Sequence, residues 1–590
     1  MLVTHRHGVS AVSRSPRAGA ARALCVLAFA AVGLVGCHAS PDDARGQAGE
    51  LANPVRRENA VLNLQRLYAK ALADHDGNRK SAAVAAIADA SVVPLTKTYV
   101  GHPEDRRNGL RILQLLAEMR DPRSVPALVA ALDWRSQVSE QHAVLAAQTL
   151  ENTDIPADER AKVAEALVAA LGKIHLSRPI DAQMRTEMIR ALGKVGDASP
   201  VDSPARQAAV KALSELAVSN VPGVGFEERR LAAHELGIIA SPRSIPALIE
   251  CLFAFDPRQP SRLMRGVAAE GLVRIGRPAL DPLLAVLAGK DPAATDAARR
   301  YLAALNARHA NALSRLTPDQ VQGLAATYAL GALGLPAALD PLMRETEADD
   351  PHRKLNAAVA LVRLNLPASD RQRVRDALTR VYKELGSVAG SEGVQMRNQL
   401  LVAMTHTYDD ALVPFFLAQA RDTKLPPQLR LSAFDSAALL ADRNEAKQMR
   451  AIITSEPKSE DGGYRESFEK SAPMLDAAEA CDNELSCWID KLGSTDEGVA
   501  RKAAYMVARD GRGDAKAVAA LVDHLDDPKI SVRLAVVTAL DHVAVDGSPA
   551  AVQKIDAMHR DEAGRALWAQ FSGEALPTAA RLRARSSSER

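Results

Sequence analysis

The sequence predicts an all-α fold, an α-solenoid in which antiparallel helix pairs stack into a superhelix. Three observations predict it. A helix–turn–helix pattern recurs along the chain. Aromatic residues make up only 3% of the 590 residues while hydrophobic residues make up 47%, so the core must be built mainly of Ala, Leu and Val, which lets short helices approach closely. No convincing stretch alternates with the two-residue period of a half-buried strand.

Ser241–Gly276 is the clearest copy of the pattern. Its first helix reads Ser241-Pro-Arg-Ser-Ile-Pro-Ala-Leu-Ile-Glu-Cys-Leu252, and Leu248, Ile249 and Leu252 share a face. Ser241 and Ser244 can accept hydrogen bonds from free amides at the helix start. Pro246 is tolerated because first-turn amides lack an intrahelical partner. A turn at Asp256-Pro257 leads to a second helix, Arg265–Gly276, with Ala268, Ala269, Leu272 and Ile275 on one face. Gly276 suits the left-handed conformation that ends many helices.

Other copies follow. Asp121-Pro-Arg-Ser-Val-Pro-Ala-Leu-Val-Ala-Ala-Leu132 repeats the first helix. The second helix follows a template: a basic residue, small residues three and four later, Leu seven later, an aliphatic ten later and a small residue eleven later. Arg229–Ala240 and Lys354–Asn365 fit it, and Arg185–Gly196 fits at its ends. Weaker copies start near Ala294, Gln322, Arg430, Arg501 and Arg533. Such a pair cannot hide its own apolar face, so neighbours must cover it.

The chain opens differently. A basic segment ending at Arg22 precedes an apolar run, Ala23–Val35, and then Leu34-Val-Gly-Cys37. The run is too short for a comfortable membrane span. This order resembles a bacterial lipoprotein signal. The resemblance implies a diacylglycerol thioether on Cys37, cleavage before it, and stable anchoring by two or three acyl chains. His38 is not the Asp that favours inner-membrane retention, so the expected location is the cell envelope, at the periplasmic face of the outer membrane. The first 36 residues carry four arginines and no acid. Without them the 74 basic residues fall to 70 against 72 acidic ones, a net of −2. Near-neutrality gives no electrostatic argument for nucleic acid.

The expected organisation is a signal peptide (1–36), a flexible tether (37–55), a solenoid (56–454), an irregular linker (455–473), further repeats (474–565) and a basic tail (566–590), disordered at its end. Gly386–Gly393 also interrupts the helical pattern. Asp74–Asn78 starts like a calcium loop but lacks the later acids, and reads as a turn.

Asp121–Leu132, Ser241–Gly276, Lys354–Asn365 and Asp527–Leu540 together resemble HEAT repeats of the short type found in many bacterial proteins. Where neighbouring copies can be paired, at Arg229, Arg265, Ala294, Gln322 and Lys354, their starts lie 28 to 36 residues apart. The resemblance spans about 56–560 and implies a superhelix with second helices on the inner face.

Among the cysteines, Cys481 and Cys487 could not bridge on one continuous helix, being about 9 Å apart along the axis and roughly 240° apart around it. If Asp482 or Asn483 starts a new helix, they can meet, and an oxidising periplasm then favours a disulfide. Cys251 replaces an apolar residue and reads as a buried thiol. No catalytic, cofactor-binding or metal site is expected. His234-Glu235 opens like a zinc-protease motif, but Ile238 stands where the second His belongs. Arg512-Gly-Asp514, a cell-adhesion tripeptide, falls at an expected turn. The basic residues opening second helices are expected to be solvated or paired with acids of the next repeat.

The function expected from these features is a lipid-anchored, non-enzymatic scaffold binding a protein or peptide partner on the curved surface. The alternative is a HEAT-like repeat enzyme, or a lyase or chaperone acting on another protein, as in short HEAT-like proteins that attach bilins. A third reading, nucleic-acid binding, is opposed by charge and export.

Overall fold

The computed structural model describes residues 39–103, 105–174, 178–219, 223–308, 316–458, 460, 463–562 and 566–587. The fold is an all-α solenoid. Among the described residues the only strands are β1 (Phe255–Asp256) and β2 (Gln259–Leu263), a small antiparallel hairpin. It occupies the connection where the sequence predicted a plain turn. Backbone groups too far from any helix pair with each other there, and Met264 N closes the hairpin on Ala254 O at 2.9 Å.

The chain forms two compact units, dividing at Ala127/Leu128. The first contains α1 (Ala44–Glu50), α2 (Arg57–Asp74), α3 (Ala82–Gly101) and α4 (Gly109–Met119), and the division falls within α5 (Val125–Ala131). α3 packs on α1, α2 and α4. By length and composition it is the one helix among the described residues that could cross a membrane. It buries Val92, Leu95 and Tyr99 against its neighbours.

In the second unit, one layer consists of α6 (Gln137–Glu151), α8 (Pro179–Ala198), α10 (Phe226–Ile239), α12 (Arg265–Ile275), α15 (Pro318–Leu333), α17 (Pro351–Val362), α19 (Gly390–Met404), α21 (Pro427–Leu440), α26 (Glu497–Asp510) and α28 (Ile530–Val543), each packed on the next. Between them in the chain, and against their flank, run α7 (Arg160–Gly172), α9 (Pro204–Ala217), α11 (Ile245–Cys251), α13 (Leu280–Leu287), α14 (Pro292–Arg308), α16 (Leu339–Glu345), α18 (Ala368–Glu384), α20 (Val413–Arg421), α22 (Arg443–Ser455) and α27 (Ala515–Asp523).

The repeat template explains how each pair is held. Ser241 caps its helix start through Arg243 N, but the Ser244 hydroxyl is buried without a hydrogen bond. The basic residues opening second helices turn inward. Arg229 Nε donates to Ala217 O at the end of α9 (3.2 Å), and Arg430 Nε to Ala420 O near the end of α20 (3.0 Å). Positive charge at a helix C-terminus is favourable. Arg430 also holds Glu456 with two bonds, at 3.0 and 2.5 Å, and Arg185 pairs with Glu228 at 2.6 Å; all four side chains are buried. Burial without partners would be costly for such groups, so each pair fixes one spacing between helices. Small residues set the crossings: a Cβ on Gly237 of α10 would lie 2.9 Å from Gly271 Cα of α12. That proximity is why a core so poor in aromatics closes.

Several boundaries differ from expectation. The stretch read as a tether is folded from Ala39: Gln47 Nε2 donates to Ala39 O and Ser40 O, both at 3.0 Å, and Leu51 is buried. Residues 455–473 are not a boundary between units. They include α23 (Arg465–Glu469), whose Phe468 stacks on Phe434 of α21 at 4.4 Å. α21 packs directly on α26 across this segment, so its polar composition marks a loop within one body. The helical pattern does break at Gly386–Gly393, but α19 already restarts at Gly390. Gly276 ends α12 at φ +77° and ψ −138°, outside the expected left-handed helical region, whereas Ala240 and Gly334 end α10 and α15 within it.

The largest correction is the tail. Residues 566–587 form α30 (Ala566–Ser587), not a disordered end. Phe571, Ala575, Ala579 and Leu582 lie three or four residues apart and are all buried. α30 packs on α28, on α29 (Pro549–Glu562), and on α12 in the middle of the unit.

Candidate functional site

α30 lies on the layer containing α12, α15 and α28, and its polar side chains bind that layer to it. Arg581 Nη1 donates to Ala332 O (2.6 Å), and its Nε to Asp541 (2.9 Å). Arg585 reaches both the Asp541 carbonyl (2.6 Å) and its carboxylate (3.0 Å). Glu574 accepts from Arg363 at 2.8 Å. Burial alone would raise the Asp541 carboxyl, but Arg581 and Arg585 outweigh it and hold the group below its ordinary range.

A cavity lies on each side of this helix. One of about 440 Å³ is lined by His234, Glu270, Tyr328 and Leu576, among others. Burial lowers the His234 imidazole. No group of three or more His, Cys, Asp or Glu side chains able to hold a metal ion is present among the described residues.

The other cavity, about 370 Å³, is bounded by α17, α19, α26, α28 and α30. Val362, Leu364, Val402 and Leu534 supply apolar wall. Its polar groups come from the residues just after α17 and α19, from α26, from α28 and from α30. His406 Nε2 and the Tyr505 hydroxyl lie 2.8 Å apart, with their rings stacked at 5.7 Å. Tyr408 packs its ring between Tyr505 at 5.5 Å and His542 at 4.8 Å. Its left-handed backbone (φ 52°) matches that of Ala240 at the end of α10, so this conformation belongs to the repeat rather than to the cavity. Arg512 contacts His542 at 3.4 Å and donates to Asn365 at 2.6 Å, which turns the adhesion-like tripeptide's arginine into the fold.

Burial sets the protonation of this cluster. It pushes His406 down to about 4 and His542 to about 3, the latter helped by Arg512 and Arg371. It raises the Tyr408 and Tyr505 hydroxyls. All four are therefore uncharged at neutral pH. A consequence for stability follows. Between the ordinary imidazole value of 6.5 and these lowered ones, the unfolded chain binds more protons than the folded one. This contribution to stability is intact above pH 6.5 and is lost as the pH falls through 6.5 towards 4 and 3. Urea unfolding at pH 7 and pH 5 should show a smaller acid loss for a His406→Gln/His542→Gln double variant than for the native chain. Equal losses would remove the two imidazoles as the cause.

Of the residues singled out from sequence, Cys37 lies outside the described residues. Cys481 and Cys487 form a disulfide, with Cα atoms 5.4 Å apart. A helix break does permit it, but Glu484 rather than Asp482 or Asn483 holds the cap position: α24 (Ala472–Cys481) ends on Cys481 itself, Asp482 takes a positive φ of 52°, and α25 (Leu485–Lys491) starts. Cys251 is a buried free thiol, raised by burial to about 12. The cavity residues were not found from sequence. His406 and Tyr408 follow α19, Arg501 and Tyr505 lie on α26 and Asp541 on α28, and they share no motif; of these only Arg501 stood out in the sequence, as the start of a repeat copy.

No protein-family model matches the chain, and neither does any curated protein. Among solved structures, the crystal structure of an engineered protein from the Northeast Structural Genomics Consortium aligns with 78% of this chain and 98% of its own. Its sequence identity is 19% and its TM-score 0.20, a superposition too loose to carry an argument.

Proposed function

We propose that the protein is a lipid-anchored, non-enzymatic scaffold of the bacterial cell envelope. In this reading it is a short HEAT-like repeat protein, held through Cys37 at the periplasmic face of the outer membrane. It binds a protein or peptide partner along the inner layer of its solenoid. The observation that supports this most is α30. The inner layer already seats a 22-residue helix of its own chain, through buried apolar side chains and arginine bonds. A surface with those features suits an amphipathic segment of another protein. Tyr328 and Val402 remain 41% and 50% exposed on the helices flanking α30.

The enzymatic alternative draws on the His406–Tyr505 pair. An imidazole near 4 is a weak base at neutral pH, and a phenol raised above its usual value is a weak acid, which favours binding over proton transfer.

Photo-crosslinking residues placed at Tyr328 and Val402 in intact cells should yield one defined adduct that Lys290, exposed beyond α13, does not. Identical adducts from all three positions, or none, would refute partner binding on the inner layer. Separately, Cys37→Ser should release the chain from membranes.

A further inference from the structure

The cavity beside α30 holds a polar inventory that the scaffold reading does not use. We propose that it is a binding site for a small organic carboxylate with an apolar body, whose anionic end meets Arg501 and the Tyr408 hydroxyl.

Charge points to an anion. The cavity is lined by three arginines and two acids. Arg363 is paired with Glu574, and Arg581 with Asp541. Arg501 has neither an ion pair nor a hydrogen bond among the described residues. Asp435, an acid that feels its charge, accepts from Ser471 at 3.2 Å, and burial raises that carboxyl. The imidazoles of His406 and His542 are uncharged, so Arg501 is left as the net charge of the wall. Other basic residues that open second helices, such as Arg229 and Arg430, are tied back to helix ends. Arg501 departs from that use.

Hydrogen bonding points the same way. Tyr408 is 2% exposed, and its hydroxyl has no hydrogen bond. The neighbouring hydroxyl of Thr538 donates to Leu534 O (2.9 Å) and Ala535 O (3.1 Å) and keeps only its acceptor lone pairs for the phenol. A buried hydroxyl without a partner is unfavourable, and an acceptor from a ligand would satisfy it. Tyr505, by contrast, is already bonded to His406. The remaining wall, from Val362, Leu364 and Leu534, is apolar and suits a hydrocarbon body. Val402 is half exposed at the rim, so the cavity reaches solvent there. About 370 Å³ fits a small molecule and not a protein segment.

The proposal does not rest on the scaffold reading, and its test needs no partner protein. Calorimetric titration of the full chain with phenylacetate, 2-phenylethanol and inorganic phosphate separates the sources of affinity. Phenylacetate is expected to bind saturably at one site. Phenylethanol, which lacks the charge, and phosphate, which lacks the body, should each bind at least about tenfold more weakly. Arg501→Gln should weaken phenylacetate about tenfold and leave phenylethanol unchanged, and Tyr408→Phe should weaken it about threefold. Arg501→Gln breaks no hydrogen bond or ion pair among the described residues, and Tyr408→Phe keeps the packed ring, so both should retain the native circular dichroism spectrum. The proposal is overturned if phenylacetate fails to bind below about 10 mM. It is equally overturned if phosphate binds as well, or if Arg501→Gln binds phenylacetate like the native chain.

Discussion

Deleting residues 566–590 is expected to loosen the solenoid at two places far apart in sequence. Burying Phe571 and Leu582 contributes on the order of 2 kcal/mol each. The Arg581 bonds to Asp541 and to the Ala332 carbonyl add roughly 1–3 kcal/mol each, because both sites are buried. The truncated chain leaves Asp541 without Arg581 and Arg585, its two cationic partners. Hydrogen exchange should therefore accelerate by about a hundredfold or more in the last turns of α15 and α28, while α6 and α8 keep their protection. Unchanged exchange in α15 would mean that α30 adds nothing to the repeats it covers.

A second large effect is expected at Lys502. It is fully buried, and its Nζ donates to Ala438 O and Ala441 O, each at 2.7 Å. It also lies 5.3 Å from the centroid of the buried Trp488 ring. One side chain thus satisfies the C-terminal end of α21 from α26 and packs under α25. Lys502→Met keeps most of the volume but strands two buried carbonyls, at roughly 1–3 kcal/mol each. A loss of about 4 kcal/mol in unfolding free energy is expected, and a loss below about 1 kcal/mol would contradict this role. Burial brings the ammonium down to about 7. Between pH 7 and the ordinary value of 10.5, the unfolded chain binds more protons, so this group's contribution to stability should rise with pH across that window. A neutral amine still offers two N–H donors, enough for both carbonyls.

The repeats were legible because their signal is local. In Arg229–Ala240 the small and aliphatic residues recur at helical spacing, and they face the neighbouring helices as that spacing requires. The disulfide was legible for a similar reason, since Cys481 and Cys487 are six residues apart and only a helix break lets them meet. The tail was misread because Arg581–Arg590 looks basic and Ser-rich, whereas the stripe from Phe571 to Leu582 is carried by alanines that composition alone does not weight. The segment 455–473 misled in the opposite way. Its polarity is real, but the packing of α21 on α26 is a contact between distant residues that no local window contains. The cavity was hidden for that same reason. Tyr408 and Arg501 gain meaning only when the turn after α19 meets α26, through the His406–Tyr505 contact, and Arg581 arrives from the far end of the chain.

Most solenoids mature one repeat at a time, because each repeat touches only those next to it. Here Arg363 waits for Glu574, 211 residues downstream. At roughly 5–20 residues per second, ribosomal synthesis separates the two by about 10–40 s. During that interval the middle repeats exist with their apolar inner flank uncovered. The nascent chain therefore has a built-in delay during which it presents a surface that the finished protein covers.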